Sequence, residues 1–220
     1  MKKYNLNQRL DQTEPAGCPH GFTLVELLIT MVIASFVLAA AFAIFTNYTR
    51  SNTLQTVAAN VQQDIRAGIS FMEQDVRSAG FNPRELSTGV GFTAASTTTF
   101  TFTSDNDFNT LVAADDPGTV DDETVTSPEE QITYTYNAGP RTLTRQNLTG
   151  TQTLLSNISG LVFTYFDTDN VLISGNPIPA ASLDDIRSVD ISITMSEAAG
   201  KYGTISRTVQ TRVYCRNMNL

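Results

Sequence analysis

The chain opens with a polar segment and then enters an uninterrupted apolar stretch from Phe22 to Phe45. A helix over this stretch, rising about 1.5 Å per residue, is about 36 Å long, whereas the hydrocarbon core of a bilayer is about 30 Å thick. Glu26 is the single charged residue of the stretch and lies close to its start. The pattern predicts a membrane-spanning helix over residues 22–45.

Beyond Phe45 the pattern changes to that of an amphipathic helix, predicted over residues 46–80. Apolar residues recur at spacings of three and four and form one stripe. The stripe consists of Leu54, Val57, Ala58, Val61, Ile65, Ile69, Met72, Val76 and Ala79. Glu73 and Arg77 are spaced for an i,i+4 ion pair, and Gly80 is placed to end the helix. One face of this half is therefore expected to pack on a folded region.

Residues 81–220 have the texture of β-strands. Period-two alternation or a short apolar run marks each predicted strand. The segments are 97–103, 131–137, 141–146, 160–167, 188–196 and 203–214. The run at 160–167 is more fully apolar and is expected to be more buried, and the last two segments predict a hairpin. Together they predict an α+β fold, in which a long N-terminal helix packs on one antiparallel β-sheet that forms the head.

Charge around the apolar stretch predicts its orientation. Lys2, Lys3 and Arg9 precede it, more basic residues than closely follow it, which places the N-terminus in the cytoplasm and the head outside. A secretory signal peptide cleaved near Ala39–Ala41 is the alternative. Against it, the polar segment and the apolar run are both long for a signal peptide, and simple secretion gives no reason for Glu26.

Composition excludes several classes of function. A net charge of −8 repels phosphate backbones, so the isolated subunit is not expected to bind nucleic acid. One His and two Cys cannot supply a zinc site built from several such ligands. The sole histidine is His20, and no nucleotide-binding or nucleophile-elbow motif occurs. A membrane-anchored enzyme that uses a carboxylate pair such as Asp184–Asp185 stays an alternative.

Residues 21–28, Gly-Phe-Thr-Leu-Val-Glu-Leu-Leu, resemble the processing site of type IV prepilins and of the related pseudopilins of type II secretion. The resemblance implies that a membrane-embedded prepilin peptidase cuts between Gly21 and Phe22 and methylates the new amine of Phe22. Residues 1–21 would then be a cytoplasmic leader. It also implies that Glu26 pairs with the N-terminal amine of a neighbouring subunit during assembly. Pairing with its own amine, or a position at headgroup level, is the alternative.

A second resemblance concerns residues 73–83, Glu-Gln-Asp-Val-Arg-Ser-Ala-Gly-Phe-Asn-Pro. This run is similar to a segment of PilW-type minor pilins, and J-type minor pseudopilins have a related sequence there. The resemblance implies a minor pilin, not an enzyme, that assists assembly of a type IV pilus by helix packing and charge pairing. Its partners would be the peptidase, other minor pilins and the major pilin, in the bacterial inner membrane and then in the pilus. A J-like minor pseudopilin of a type II secretion system is the alternative.

The acidic run from Asp105 to Glu130 holds nine Asp or Glu residues and no basic residue, and is interpreted as a solvated loop. The alternative is a calcium site in this run, with Asp105 and Asp107 as candidate ligands. Asp167 and Asp169 form a second candidate pair. Apart from calcium, no cofactor is expected.

The predicted cleavage separates the two cysteines. Cys18 lies in the leader and would be lost with it. Cys215 is therefore expected to be a packed free thiol near the last strand. An intermolecular disulfide through Cys215 is the alternative.

Overall fold

The computed structural model describes residues 21–82, 90–105 and 130–218. Helix α1 runs Leu24–Ser78, so one continuous helix includes both the apolar and the amphipathic stretch, as predicted. The chain forms two compact units, which divide between Thr49 and Arg50. The boundaries predicted for the leader, the two half-helices and the head stay predictions.

In the unit that begins at Arg50, eight strands form the head. They are β1 (Gly91–Ala95), β2 (Thr99–Thr103), β3 (Gln131–Asn137), β4 (Thr142–Asn147), β5 (Gly150–Leu155), β6 (Ile158–Phe166), β7 (Ser188–Ala198) and β8 (Thr204–Tyr214). Short 3-10 helices at Ala180–Ser182 and Gly200–Tyr202 precede β7 and β8. The α+β class and the packing of the helix against antiparallel sheets are confirmed.

The strands form two antiparallel sheets, so the expectation of a single sheet is wrong. Strands β1 to β5 follow one another in a five-stranded sheet, and β6, β7 and β8 form a three-stranded sheet. The chain leaves the first sheet after Leu155 through Asn157, whose φ is 60°. The Ile158 N–H then bonds to the carbonyl of Arg141 at 3.0 Å, and β6 continues into the second sheet.

Two predicted hairpins are confirmed, and one strand differs from its prediction. Strand β3 pairs with β4, and β7 pairs with β8, both antiparallel. Strand β6 is buried only at alternate positions, and Val162 is 47% exposed. The expectation that this run is more buried is therefore wrong, because the apolar Val162 lies on the outer face of the sheet.

The predicted helix stripe forms one side of the core. Val61, Ile65, Ile69, Met72, Val76 and Ala79 are buried, and Leu54, Val57 and Ala58 are half-buried. Gly68 belongs to the same buried face, because a Cβ there would lie 2.4 Å from Leu155 Cδ1. The helix therefore approaches the end of β5 more closely than any larger residue would allow.

The end of α1 follows the predicted pattern. Its last residue is Ser78, and Gly80 has a φ of +75°, which favours glycine at this position. The Gly80 N–H bonds to the carbonyl of Thr103 at 3.0 Å. A Cβ on Gly80 would lie 2.8 Å from Met218 Sδ, so the turn also lies against the C-terminal segment.

Candidate processing and membrane-anchoring site

The predicted cleavage site lies just outside the helix. Gly21, Phe22 and Thr23 are not helical, and α1 begins at Leu24. Thr23 is the N-cap: its Oγ1 accepts the Glu26 N–H at 3.2 Å, and its carbonyl accepts the Leu27 N–H at 3.1 Å. The peptide bond between Gly21 and Phe22 is therefore not part of the hydrogen-bonded helix.

The fold itself does not require glycine at position 21. A Cβ built on Gly21 meets no atom of the described residues within 4 Å, and the residue does not adopt the left-handed backbone that favours glycine. Phe22 is 80% exposed, so it packs against nothing in the described part of the chain.

Glu26 has one local role that the sequence reasoning missed. Thr23 and Glu26 have the spacing of a capping box, in which an N-cap hydroxyl and an acidic residue three positions later satisfy free N–H groups at a helix start. The Thr23 half of this arrangement is formed, at 3.2 Å. Among residues 21–82, 90–105 and 130–218, no ion pair holds the Glu26 carboxylate, which leaves it available to a charge from elsewhere.

The first half of α1 presents apolar side chains on all sides. Sixteen large apolar residues between Phe22 and Tyr48 are exposed, each by 49% or more. Burial of one such side chain is favourable by about 1.5–3 kcal/mol, so leaving all of them in water would cost tens of kcal/mol. The helix is long and apolar enough to cross a membrane.

The hydroxyl groups in the first half of α1 are compatible with a lipid environment. Thr30, Ser35 and Thr46 donate to backbone carbonyls three residues earlier, at 2.9, 2.7 and 3.0 Å. In hydrocarbon an unbonded polar group is costly, and these bonds remove that cost without a partner helix. Glu26 is therefore the only strongly polar group of the stretch.

Comparison with known families agrees with this geometry. Residues 19–42 match the family model described as the prokaryotic N-terminal methylation motif. The match indicates a type IV pilin-like or pseudopilin protein. Proteins with this motif are structural rather than catalytic, and the motif and the apolar helix fit a single-pass, membrane-anchored pilin-like protein. A comparison with curated proteins finds no match.

A polar network, which no sequence pattern predicted, fixes the second half of α1 to the five-stranded sheet. Asp75 Oδ2 accepts the Tyr134 hydroxyl at 2.6 Å and Arg145 Nε at 2.7 Å. Burial, together with the nearby Asp75 carboxylate, raises the pKa of Tyr134 well above its usual value, so the hydroxyl stays a donor. The predicted Glu73–Arg77 pair is also formed, at 3.6 Å on the surface.

A second network joins the strands of the three-stranded sheet. Arg212 on β8 binds Asp190 on β7 through both oxygens, at 2.5 and 2.9 Å. Its guanidinium lies over the Phe166 ring, 3.9 Å from the centroid, and donates to Asn170 Oδ1 at 3.3 Å. Because Asp190 already neutralises Arg212, this pair supports the sheet rather than offering a free charge.

The candidate calcium ligands are not brought together by the described residues. Asp167 Oδ1 accepts the N–H groups of Asp169 and Val171, at 2.9 and 2.8 Å, which closes a tight turn. Asp105 is buried, and Asp107 lies outside the described residues. Within the described ranges, no group of three or more His, Cys, Asp or Glu side chains could hold a metal ion. Calcium binding stays a prediction.

Cys215 is a free, half-buried cysteine directly after β8. Its N–H bonds to the carbonyl of Arg187 at 2.9 Å, which extends the pairing of β8 with the strand before it. Burial raises the pKa of the Cys215 thiol to about 12. The group is therefore a protonated thiol at neutral pH, and Cys18 and His20 lie outside the described residues.

Proposed function

We propose that the chain is a minor pilin of the PilW type. In this proposal a prepilin peptidase cuts between Gly21 and Phe22 in the inner membrane and methylates the new amine. The mature subunit then enters a type IV pilus beside other minor pilins and the major pilin. Residues 22–45 anchor it, residues 46–80 carry the head, and residues 81–220 form the head outside the cytoplasm.

The observation that carries the proposal is the match of residues 19–42 to the methylation motif, at a site where the fold leaves the backbone accessible. Gly21 to Thr23 precede the first helical residue, so a peptidase need not unwind a helix to reach the bond. Because a Cβ at position 21 would meet no other described residue, a bulkier side chain there should act mainly on the active site of the peptidase.

Cleavage would also give Glu26 its partner. The new α-amino group of Phe22 would be a cation four residues before Glu26, next to the start of α1. In a low-dielectric environment, opposite charges at short range offset much of the cost of placing each one there. The amine of a neighbouring subunit can take the same place, which would couple assembly to processing. The subunit then acts by helix packing and charge pairing, without chemistry on a substrate.

The PilW assignment is supported by residues 73–83 and by what several of them do in this chain. Asp75 holds the helix to the sheet, and Gly80 makes the left-handed turn against Met218. A J-like minor pseudopilin of a type II secretion system would use the same helix, processing site and head. The genes that neighbour this one would distinguish the pilus from the secretion system.

The processing step is tested by Gly21→Val, expressed with a prepilin peptidase. We expect the uncleaved precursor to accumulate in the membrane, because the added side chain meets no described residue and would obstruct the peptidase. Gly139→Val is the matched control, since a Cβ at Gly139 also meets nothing within 4 Å. It should be processed like the wild type. Normal processing of Gly21→Val would contradict the proposed site.

A further inference from the structure

Strand β8 leaves one long edge open. It is the last strand of the three-stranded sheet and pairs with β7 in unbroken register over all 11 residues, Thr204–Tyr214. In the described ranges, no backbone bond reaches its other edge. It has no proline and no bulge, which are devices that natural proteins use to block such edges. Strand β5, at the edge of the five-stranded sheet, also has mostly exposed residues. It has only 6 residues, and its pairing with β4 contains a register shift.

A groove lies beside the C-terminal end of this strand, between the last turns of helix α1 and the residues that follow β8. Thr211 Oγ1 on β8 donates to Glu73 Oε1 at 3.3 Å, so the helix passes directly beside the strand. Ser70, Glu73 and Arg77 on the helix and Arg216 after β8 line a groove of about 510 Å³. An added strand at the open edge would place every second side chain toward this groove.

The open strand and the surface beside it have exposed arginines, although the chain as a whole is acidic. Arg66 and Arg77 share one helix face with Glu73, by their spacings of seven and four. Arg207 and Arg216 are exposed, and neither has an ion pair among the described residues. Arg77 is paired with Glu73 at 3.6 Å, so Arg207 on β8 and Arg216 after it supply the positive charge that no described acidic residue neutralises, while the whole chain has a net charge of −8. From residue 199 to the end of the sequence there is no Asp or Glu.

We propose that the open edge of β8 binds an extended, acidic segment of a partner subunit as an added β-strand. Main-chain hydrogen bonds to β8 would supply affinity, and carboxylates at alternate positions would meet Arg207 and Arg216. A second copy that pairs through its own β8 does not fit, because it would set Arg207 and Arg216 against like charges. The groove lies within the unit that begins at Arg50, so the inference holds whether or not the chain enters a pilus.

The test uses the full chain in detergent micelles and a fluorescent ten-residue peptide that alternates Glu with Val. Anisotropy is expected to show saturable binding that weakens as salt rises. The same peptide with Gln for Glu should bind about tenfold less tightly or worse, because it lacks the charge. A peptide with N-methyl groups at alternate backbone nitrogens should not bind, because it cannot pair with the edge.

Variants locate the site. The exposed pair Arg207→Glu and Arg216→Glu together should weaken binding about tenfold or more, with an unchanged circular dichroism spectrum. Arg50→Glu, on an exposed helix position away from β8, is the matched control and should bind like the wild type. Equal binding of the Glu and Gln peptides, or equal loss in the control, would overturn the inference. Self-association of the chain that Arg207→Glu abolishes would make a second copy the occupant and would overturn it as well.

Discussion

The Asp75 network should couple the long helix to the head, and its removal should destabilise the head strongly. Asp75 accepts the Tyr134 hydroxyl and Arg145 Nε through the same oxygen. Tyr134 is 0% exposed, so its hydroxyl cannot turn to water when the acceptor is lost. The Asp75 and Arg145 side chains are each only 18% exposed, so solvent screens their ion pair weakly.

The expected loss in the free energy of unfolding follows from these contacts. A hydrogen bond to a charged group contributes about 1.5–3 kcal/mol, and a buried donor without its acceptor costs about 1–3 kcal/mol. We expect Asp75→Ala to lower the free energy of unfolding by about 3 kcal/mol. Tyr134→Phe should lower it by about 1 kcal/mol, because it removes the hydroxyl together with its need for an acceptor.

The assay is urea unfolding of the full chain in detergent micelles, followed by near-ultraviolet circular dichroism. The double variant Asp75→Ala, Tyr134→Phe should lose less stability than the sum of the single variants, by about 1 kcal/mol. Asp64→Ala, an exposed carboxylate on the same helix, is the control and should stay within about 0.5 kcal/mol of the wild type. Additive effects, or a small loss in Asp75→Ala, would refute the coupling.

Three further predictions concern the helix and the thiol. Glu26→Gln keeps a residue that suits the capping box but removes the charge, so it should be processed normally and enter filaments about tenfold less, as measured in sheared pili. Gly68→Ala should destabilise the head by about 1 kcal/mol in urea unfolding, because strain against Leu155 outweighs the gain in helix propensity. Leu155→Val should relieve part of that loss. In a Cys18→Ser background, Cys215 should react with iodoacetamide at pH 8 at least about a hundredfold faster after unfolding. Because folding raises this pKa, stability should fall as pH rises from about 8.5 toward 12.

Each of these has an outcome that contradicts it. Normal assembly of Glu26→Gln would remove the argument for charge pairing. A stabilised Gly68→Ala would show that Leu155 moves aside at no cost. Equal alkylation rates for folded and unfolded chains would mean that Cys215 is accessible, and dimers that a reductant dissolves would favour the intermolecular disulfide.

Much of the fold could be predicted because its signals are local. The apolar stretch, the helix stripe and the β7–β8 hairpin each have a clear period in the sequence. Strand β5 was missed, because its Gly-Thr-Gln-Thr start has no apolar alternation and its side chains are mostly exposed. The division into two sheets depends on the turn at Asn157, which no periodic pattern marks.

The candidate site also has a part that the sequence predicts from local signals and a part that depends on long-range contacts. Gly21, Phe22 and Glu26 lie within six positions of one another, so their pattern is visible in the sequence alone. The Asp75 network joins residues 59 and 70 positions apart, and Tyr134 looked like one apolar residue of an alternating strand. The groove at the end of β8 likewise needs the helix and the strand to be adjacent, which only the folded chain provides.

Cleavage and methylation at Phe22 are tested most directly by N-terminal sequencing and intact mass of the protein isolated from membranes. The proposal predicts a chain of 199 residues (220 − 21 = 199) that begins with N-methylphenylalanine at position 22. A chain that begins at Met1, at a residue near Ala40, or at an unmethylated Phe22 would contradict it.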